Sequence, residues 1–303
     1  MSSYRRYSGI VIRVVANRPR PENASQVRPG RRYGPAMDIH GLGWRTDLAL
    51  LEISGSVLDD HGDHIVVRTP HNPTYWWGNF LVLAAPPIDQ ADARRWLTAF
   101  EREFPTAGHR TFGIDRPRPS ADDAAAFAAV GMRAEVSSVL TATAVHEPSR
   151  PNRTVSYRPL TTDADWAQQV ELSMAGEGVG YYRDFCTARA LAHQKLADAG
   201  HGQWWGAFDN SRLLSSMGLY RASPGLARFQ LVKTHPDARG RGLAGTLVHE
   251  VSRFGFADLD ADTLVMVADP ADVAIRIYRG VGFADTEVQI GAERQPTDSG
   301  AAD

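Results

Sequence analysis

The apolar positions of this chain switch repeatedly between a period of two and a period of about 3.6, the alternation expected where strands and helices take turns. In the first half, Asp47 to Ile53 and His64 to Arg68 read as short strands, and Asn79 to Ala84 reads as a dense apolar strand behind Trp76 and Trp77. Asp89 then caps a helix whose Ala93, Trp96, Leu97, Phe100 and Phe104 share one face. A strand over Arg110 to Ile114, a Ser120-capped segment over Ala121 to Val130 and a strand over Ala134 to Thr143 follow. The second half uses longer elements. Val155 to Pro159 predicts a strand, Thr162 to Met174 and Tyr182 to Ala199 two helices, and Gln203 to Phe208, Arg212 to Tyr220 and Leu226 to Thr234 three strands. A helix over Leu243 to Phe256 carries Leu243, Leu247, Val248, Val251 and Phe254 on one side. Thr263 to Ala268 is a compact strand, Ala271 to Arg279 a short helix and Ala284 to Ile290 a closing strand.

The two halves share this order, and one local match fixes their offset. Phe127-Ala-Ala-Val-Gly131-Met132 resembles Tyr278-Arg-Gly-Val-Gly282-Phe283, with both Phe127/Tyr278 and Gly131/Gly282 lying 151 positions apart. Duplication explains this best, so the expectation is two domains of one α/β fold, at residues 37–146 and 155–292, joined by a Pro148- and Pro151-bearing linker at 147–154. Residues 1–36 hold eight arginines and one acid, Glu22, with no helical or strand period, and read as a solvated basic extension. Residues 293–303 are polar and small, and read as a disordered tail.

Composition narrows the function. A chain of 303 residues suits two domains of about 150, and 43% hydrophobic against 22% charged residues excludes wholesale disorder. Thirty-three basic and 35 acidic side chains give a net charge of −2, which leaves no global field for nucleic acid or an anionic membrane, so neither is expected as a partner. Cys186 is the single cysteine; it excludes an internal disulfide or a cysteine-rich zinc site and fits a reducing cytoplasm. No run approaches the ~18 apolar residues of a membrane helix. The cluster Asp59-Asp60-His61-Gly62-Asp63-His64 offers metal-ligand atoms, but its Asp and Gly density between two strands suits a tight turn, and no metal is expected.

The stretch Leu231 to Thr246 carries the chemistry. An apolar strand ends, Pro236 stops further pairing, and Arg239-Gly240-Arg241-Gly242-Leu243-Ala244-Gly245-Thr246 opens an amphipathic helix. Unpaired N–H groups collect at the positive end of that helix, and glycine lets a phosphate approach the main chain. Arg239 and Arg241 add charge-assisted contacts to the same anion. The spacing fits neither a dinucleotide fingerprint nor a P-loop.

Here the chain resembles the GNAT N-acetyltransferase superfamily. Arg239-x-x-Gly242-x-Ala244 is similar to its pyrophosphate-binding signature, and Ala274-Ile-Arg-Ile-Tyr278-Arg-Gly-Val-Gly282-Phe283 to its closing helix and Gly-Phe step. The resemblance covers about residues 155–290, and the first half shares only the outline. It implies two tandem mixed-sheet GNAT folds, the second catalytic and the first degenerate. It also implies acetyl-CoA lying between the splayed fourth and fifth strands as acyl donor, with the backbone around Val232 and Thr234 on the thioester and pantetheine. The loop from Arg239 to Thr246 would then hold the pyrophosphate, and Tyr278 would be the general acid for the departing thiolate. Phe127, which lacks a hydroxyl, and Pro86-Pro87 in place of the glycines predict that the first domain binds no coenzyme. Ala271 stands where the family often has asparagine.

The reading is therefore an N-acetyltransferase acting by direct attack of a small-molecule or peptide amine in a ternary complex. The residue that takes the amine proton stays open among Glu171, Glu177, Asp184 and His235, since Arg228 to Lys233 carries no acid. The loop Gly176 to Gly180 is either an acceptor contact or a plain helix connection. A non-catalytic CoA-binding regulator is the alternative, and a basic-arm nucleic-acid binder a more distant one.

Overall fold

In a computed structural model, residues 36–175 and 181–295 are described. The first half runs α1 (Leu42–Ile53), β1 (Val57–Asp60), β2 (His64–Arg68), β3 (Phe80–Leu83), α2 (Gln90–Glu103), β4 (Arg110–Ile114), α3 (Ala125–Ala128) and β5 (Arg133–Ala142). The second runs β6 (Ser156–Pro159), α4 (Asp163–Met174), α5 (Tyr181–Asp198), β7 (Gly202–Asp209), β8 (Arg212–Ser223), β9 (Leu226–Thr234), α6 (Leu243–Asp258), β10 (Thr263–Ala268), α7 (Ala274–Arg279) and β11 (Ala284–Arg294). The predicted mixed α/β architecture holds, and β9, β10 and β4 coincide with their predicted spans. The basic extension up to residue 35, the loop at 176–180 with Glu177, and the tail from 296 lie outside the described residues.

Two compact units emerge, and they are not the two halves of the sequence. The larger comprises Gly41–Ser54 and Val136–Gln289; the smaller comprises Gly55–Glu135 with residues 36–40 and the end of β11 from Ile290. In the larger unit the strands follow the order β11-β5-β10-β9-β8-β7-β6. From β7 the pairings run antiparallel to β8, antiparallel to β9, parallel to β10 and antiparallel to β5. In the smaller unit β1, β2, β3, β4 and the end of β11 show the same sequence of pairings. The duplication is thus visible in topology, and in each unit the strand after the parallel pair comes from the other half of the chain.

Helix α6 buries Leu243, Leu247, Val248 and Val251 as its apolar period requires. They pack with Met217, Leu219, Ala227 and Phe229 of β8 and β9 and with Leu264 and Met266 of β10. Other expectations change. Asp47 to Ile53 is helical rather than extended. Within α1 only Thr46 and Ile53 are β-branched, while Leu, Ala and Glu favour helix. Its first amide, Leu42 N–H, is capped by the Glu287 carboxylate at 2.7 Å, a partner that no local pattern reveals. The expected tail also begins later than predicted, because β11 runs to Arg294 paired with β4. Glu293 is only 2% exposed, and its carboxylate accepts from Arg133 and from Trp77 Nε1. The Asp59 to His64 cluster forms the β1–β2 hairpin turn, with Gly62 at a φ of 88° and its N–H donated to Asp60.

Two buried imidazoles give the fold an acid limit. In the smaller unit, burial lowers the His109 pKa to about 4, against the opposing bond to the Asn79 carbonyl and with help from Arg110. In the larger unit, burial and then the Arg189 charge hold His193 well below its usual value; its ring lies against Trp204 and Tyr220. An unfolded histidine takes a proton near 6.5, and the folded His109 does so only near 4. Stability therefore gains nothing from these groups above pH 6.5 and falls as pH drops from about 6.5 toward 4, by roughly 3 kcal/mol for His109 alone. Denaturant titrations across that range are expected to show this acid limb, and His109→Gln is expected to flatten it by about one proton.

Candidate functional site

Strands β9 and β10 start as neighbours and then part. Leu226, Ala227 and Arg228 pair with Thr263, Leu264 and Val265, and the ladder stops there although β9 runs on to Thr234 and β10 to Ala268. On its other edge β9 stays with β8, but the register slips. Gly218 faces Gln230 and Ser216 faces Lys233, so three steps on β9 answer two on β8. The bulge sits at Leu231, whose φ of 38° lies in the left-handed region. That conformation costs a non-glycine residue about 1–2 kcal/mol, and bulges recur where a strand must re-aim its main chain. The bend lies at the mouth of the opening. Val232 follows it immediately, and both Val232 and Tyr278 pack into the apolar core beneath α6. Tyr278, on α7, is 2% exposed. The Thr234 hydroxyl lies 2.8 Å from that of Ser215, which leaves the Thr234 main chain as its contribution to the opening.

Past Thr234 the chain turns through Pro236–Ala238, where His235 Nδ1 accepts from Asp237 N–H. Gly240 and Gly242 then take φ of 73° and 77°, which suits residues without a Cβ. A Cβ at Gly240 would meet nothing within 4 Å, so the turn is open there. Gly242 is the N-cap of α6, with no side-chain cap and no acid in the first turn. The first-turn amides of α6 therefore meet no side-chain cap, under a helix dipole that favours an anion. Arg239 and Arg241 are exposed beside it, and Arg241 stands 3.9 Å from Asp209. Leu243, Gly245 and Thr246 are buried. Of the predicted loop residues these three offer main chain only, because Leu243 packs with Ala207, Leu214 and Ala238 and the Thr246 hydroxyl donates to the Gly242 carbonyl.

The smaller unit provides the contrast. Its parallel pair stays closed to the end of β3, with Leu81, Val82 and Leu83 facing Phe112, Gly113 and Ile114. The N-terminus of α2 is capped by the Asp89 carboxylate on Asp92 N–H and carries acid in its first turn, which repels an anion. Phe127 is fully buried and stacked on Phe112 at 4.5 Å.

Of the candidate bases, Glu171 is exposed and paired with Arg183, which lowers its pKa. Asp184 is exposed, and His235 is engaged with its own turn. Nothing described brings them to the parting of β9 and β10. The adjacent Trp204 and Trp205 divide between the two faces of β7: Trp204 packs near Trp166 and His193, whereas Trp205 packs on Phe254 of α6. Asp272, next to the unusual Ala271, accepts from Ala274 N–H at the start of α7.

Two residues escaped sequence reasoning. Leu231 looks like any strand leucine. Asn152 sat in the expected linker, yet it is a clamp on the glycine turn. Its N–H donates to Thr246 Oγ1 at 2.8 Å and its Nδ2 to the Arg241 carbonyl at 2.9 Å. Its carbonyl accepts from Tyr157 Oη at 3.0 Å and its Oδ1 from Thr154 N–H at 2.9 Å. The Arg150 carbonyl lies 2.6 Å from where a Gly242 Cβ would stand, and Pro148 lies against Gly245.

Residues 171–294 match the family model described as an acetyltransferase (GNAT) domain. A GCN5-related N-acetyltransferase from Kribbella flavida is similar in structure, with a TM-score of 0.60 at 16% identity over 85% of this chain and 97% of that one. A conserved Staphylococcus epidermidis protein described as functionally unknown scores 0.60 at 13% identity, covering 78% of this chain and 92% of its own. A tandem GNAT protein from the clavulanic acid biosynthesis pathway scores 0.50 at 12% identity, over 88% of this chain and 99% of that one. At these identities the likenesses establish the fold, two tandem GNAT folds. No curated protein matches the chain.

Removing the Asn152 side chain tests the clamp. Asn152→Ala is expected to cost about 1 kcal/mol of stability and to speed amide exchange at Thr246 and the next bonded amides of α6 roughly fivefold, with α4 and α5 unchanged. Hydrogen exchange read by mass spectrometry checks both.

Proposed function

We propose that this chain, whose residues 171–294 belong to the GNAT acetyltransferase family, transfers an acetyl group from acetyl-CoA to an amine by direct attack in a ternary complex. The single observation that carries the reading is the short β9–β10 ladder, which opens beside the Leu231 bulge and leads straight into the uncapped glycine turn. The fit to the donor is chemical. Uncapped amides and two arginines suit a diphosphate, the open side of Gly240 admits it, and the main-chain edge from Val232 to Thr234 suits the amides of a pantetheine arm.

In this reading the amine nitrogen attacks the acetyl carbonyl carbon, and the carbonyl oxygen gains charge that a β9 amide near Val232 stabilises. The new C–N bond forms, the C–S bond breaks, and the sulfur leaves as thiolate and takes a proton or hydrogen bond from the Tyr278 hydroxyl. The amine gives up its own proton to water. Holding both reactants at one parting of the sheet contributes through proximity. The smaller unit binds no coenzyme in this proposal, because its parallel pair is closed and its helix start is acidic. The acceptor is a small molecule or peptide, nucleic acid and membrane are not partners, and the buried, lone Cys186 suits the cytoplasm. Among the described residues no helix is long and apolar enough to cross a membrane.

Basic residues Arg228 and Lys233 on β9, with no acid among Arg228 to Lys233, favour the rival reading of a CoA-binding regulator. Thiol release with acetyl-CoA and a panel of amines separates the two. Turnover in the wild type, with kcat lowered about 10²-fold in Tyr278→Phe and KM for acetyl-CoA unchanged, is expected for the enzyme. Tight CoA binding by calorimetry with no turnover on any amine would leave the regulator.

A further inference from the structure

Arg228 is the last β9 residue in the ladder with β10, opposite Val265, so it stands at the point where the two strands part. Its side chain is turned onto α1. Nη1 donates to Thr46 Oγ1 at 3.2 Å, Nη2 pairs with Asp47 Oδ1 at 2.9 Å, and Nε donates to the Phe229 carbonyl at 3.2 Å. All three nitrogens are engaged, and the side chain is only 8% exposed. Asp47 is the open member of the pair at 25%, even though its Oδ2 also accepts from Gln289 Nε2 at 3.0 Å. Helix α1 is part of the same compact unit as β9 and β10 although it comes from the first half of the sequence.

As a fastening for α1 this pair is a poor choice. Burying a guanidinium carries a desolvation penalty that its carboxylate partner repays only partly, and apolar residues of the same volume commonly do as well. The helix is already held by Glu287 on Leu42 N–H and by buried Trp44, Leu48 and Leu50. The pair does accomplish one thing that apolar packing would not: it fixes a carboxylate, each oxygen already accepting one bond, at the apex of the opening with part of its surface toward solvent. The exposed partner there is an acceptor-only anion, so its complement is an N–H-rich cation. A ligand carboxylate would meet Asp47 before reaching the enclosed Arg228.

We infer that Asp47 is the docking counter-charge for the acceptor, and that the acceptor is an amine with no carboxylate beside it, arriving as an ammonium that releases one proton to water before its nitrogen attacks and a second as the amide forms. Arg228 and Gln289 are positioning residues that hold the Asp47 carboxylate in place. This rests on the acetyl-transfer reading above, and it supplies what β9 lacks, an acid at the parting of the strands delivered by a helix from the degenerate half.

The test uses the full chain, acetyl-CoA and three probes: 1,4-diaminobutane, benzylamine and glycine. Wild type is expected to accept the two cationic amines and to discriminate against glycine. Asp47→Asn is expected to raise KM for 1,4-diaminobutane at least tenfold while KM for acetyl-CoA stays within twofold, and Asp47→Glu to recover part of the loss. Should Asp47→Asn loosen α1, the paired change Arg228→Met with Asp47→Leu keeps the volume and removes both charges, and it is expected to lose amine discrimination at an unchanged melting temperature. Wild-type amine KM values in either variant, or glycine as the preferred probe, would overturn the inference while leaving acetyl transfer intact. No thiol release by wild type with any amine, despite CoA binding, would instead remove the acetyl-transfer reading and this inference with it.

Discussion

A parallel strand pair that stops after three residues leaves main-chain N–H and C=O groups along two facing edges, and such groups must find water, side chains or a ligand. That is the constraint on which the larger unit is built. Beyond Arg228 and Val265 the strands no longer hold each other, so α6 has to hold them, and its apolar face touches β8, β9 and β10 together. Leu231 adds to this by taking a left-handed conformation within a strand, which persists only where surrounding packing over-determines it. The dense core under α6, including Phe229, Val281 and Phe283, supplies that packing. Opening and core are two aspects of one arrangement, since a looser α6 would let the bulge relax and the strands close.

The smaller unit shows what the same topology does without that arrangement. Its strand order and pairing senses repeat those of the larger unit, yet β3 and β4 remain paired to the last residue of β3. The differences lie in a few side chains. Asp89 caps a helix start that Gly242 leaves open, and Phe127 stacks in a core where its counterpart Tyr278 carries a hydroxyl. The two units of the duplicated fold thus differ at one place: the larger leaves its helix start uncapped and its parallel pair open, and the smaller caps the one and closes the other.

Much of this was legible in the sequence because it is local. Apolar period and turn residues locate β4, β9, β10 and α6, and the clustering of Gly240 and Gly242 after a proline marks the turn. Nonlocal pairing stayed hidden. Helix α1 reads as a strand in the sequence because Leu48, Ala49, Leu50 and Leu51 supply too short an apolar run to fix a period, and its cap comes from Glu287. The end of β11 looked like a frayed tail because Glu293 is polar, and its burial depends on Arg133 and Trp77. Asn152 looked like linker because a residue whose four polar groups are all bonded to distant or turn partners has the same local signature as one bonded to water.

The exchange of strands between halves explains why the linker is not a domain boundary. In the larger unit β5, from the first half, stands between β10 and β11 and pairs with β10 from Ser138 to Ala142. Without it β10 would lose its antiparallel partner on one side while already lacking β9 beyond Val265 on the other. A strand exposed along both edges is poorly tolerated in a folded sheet. The gap beside β9 is thus sustainable only because the first half closes the opposite edge of β10. Strand β5 of the first half is thus part of what keeps the opening beside β9 in place.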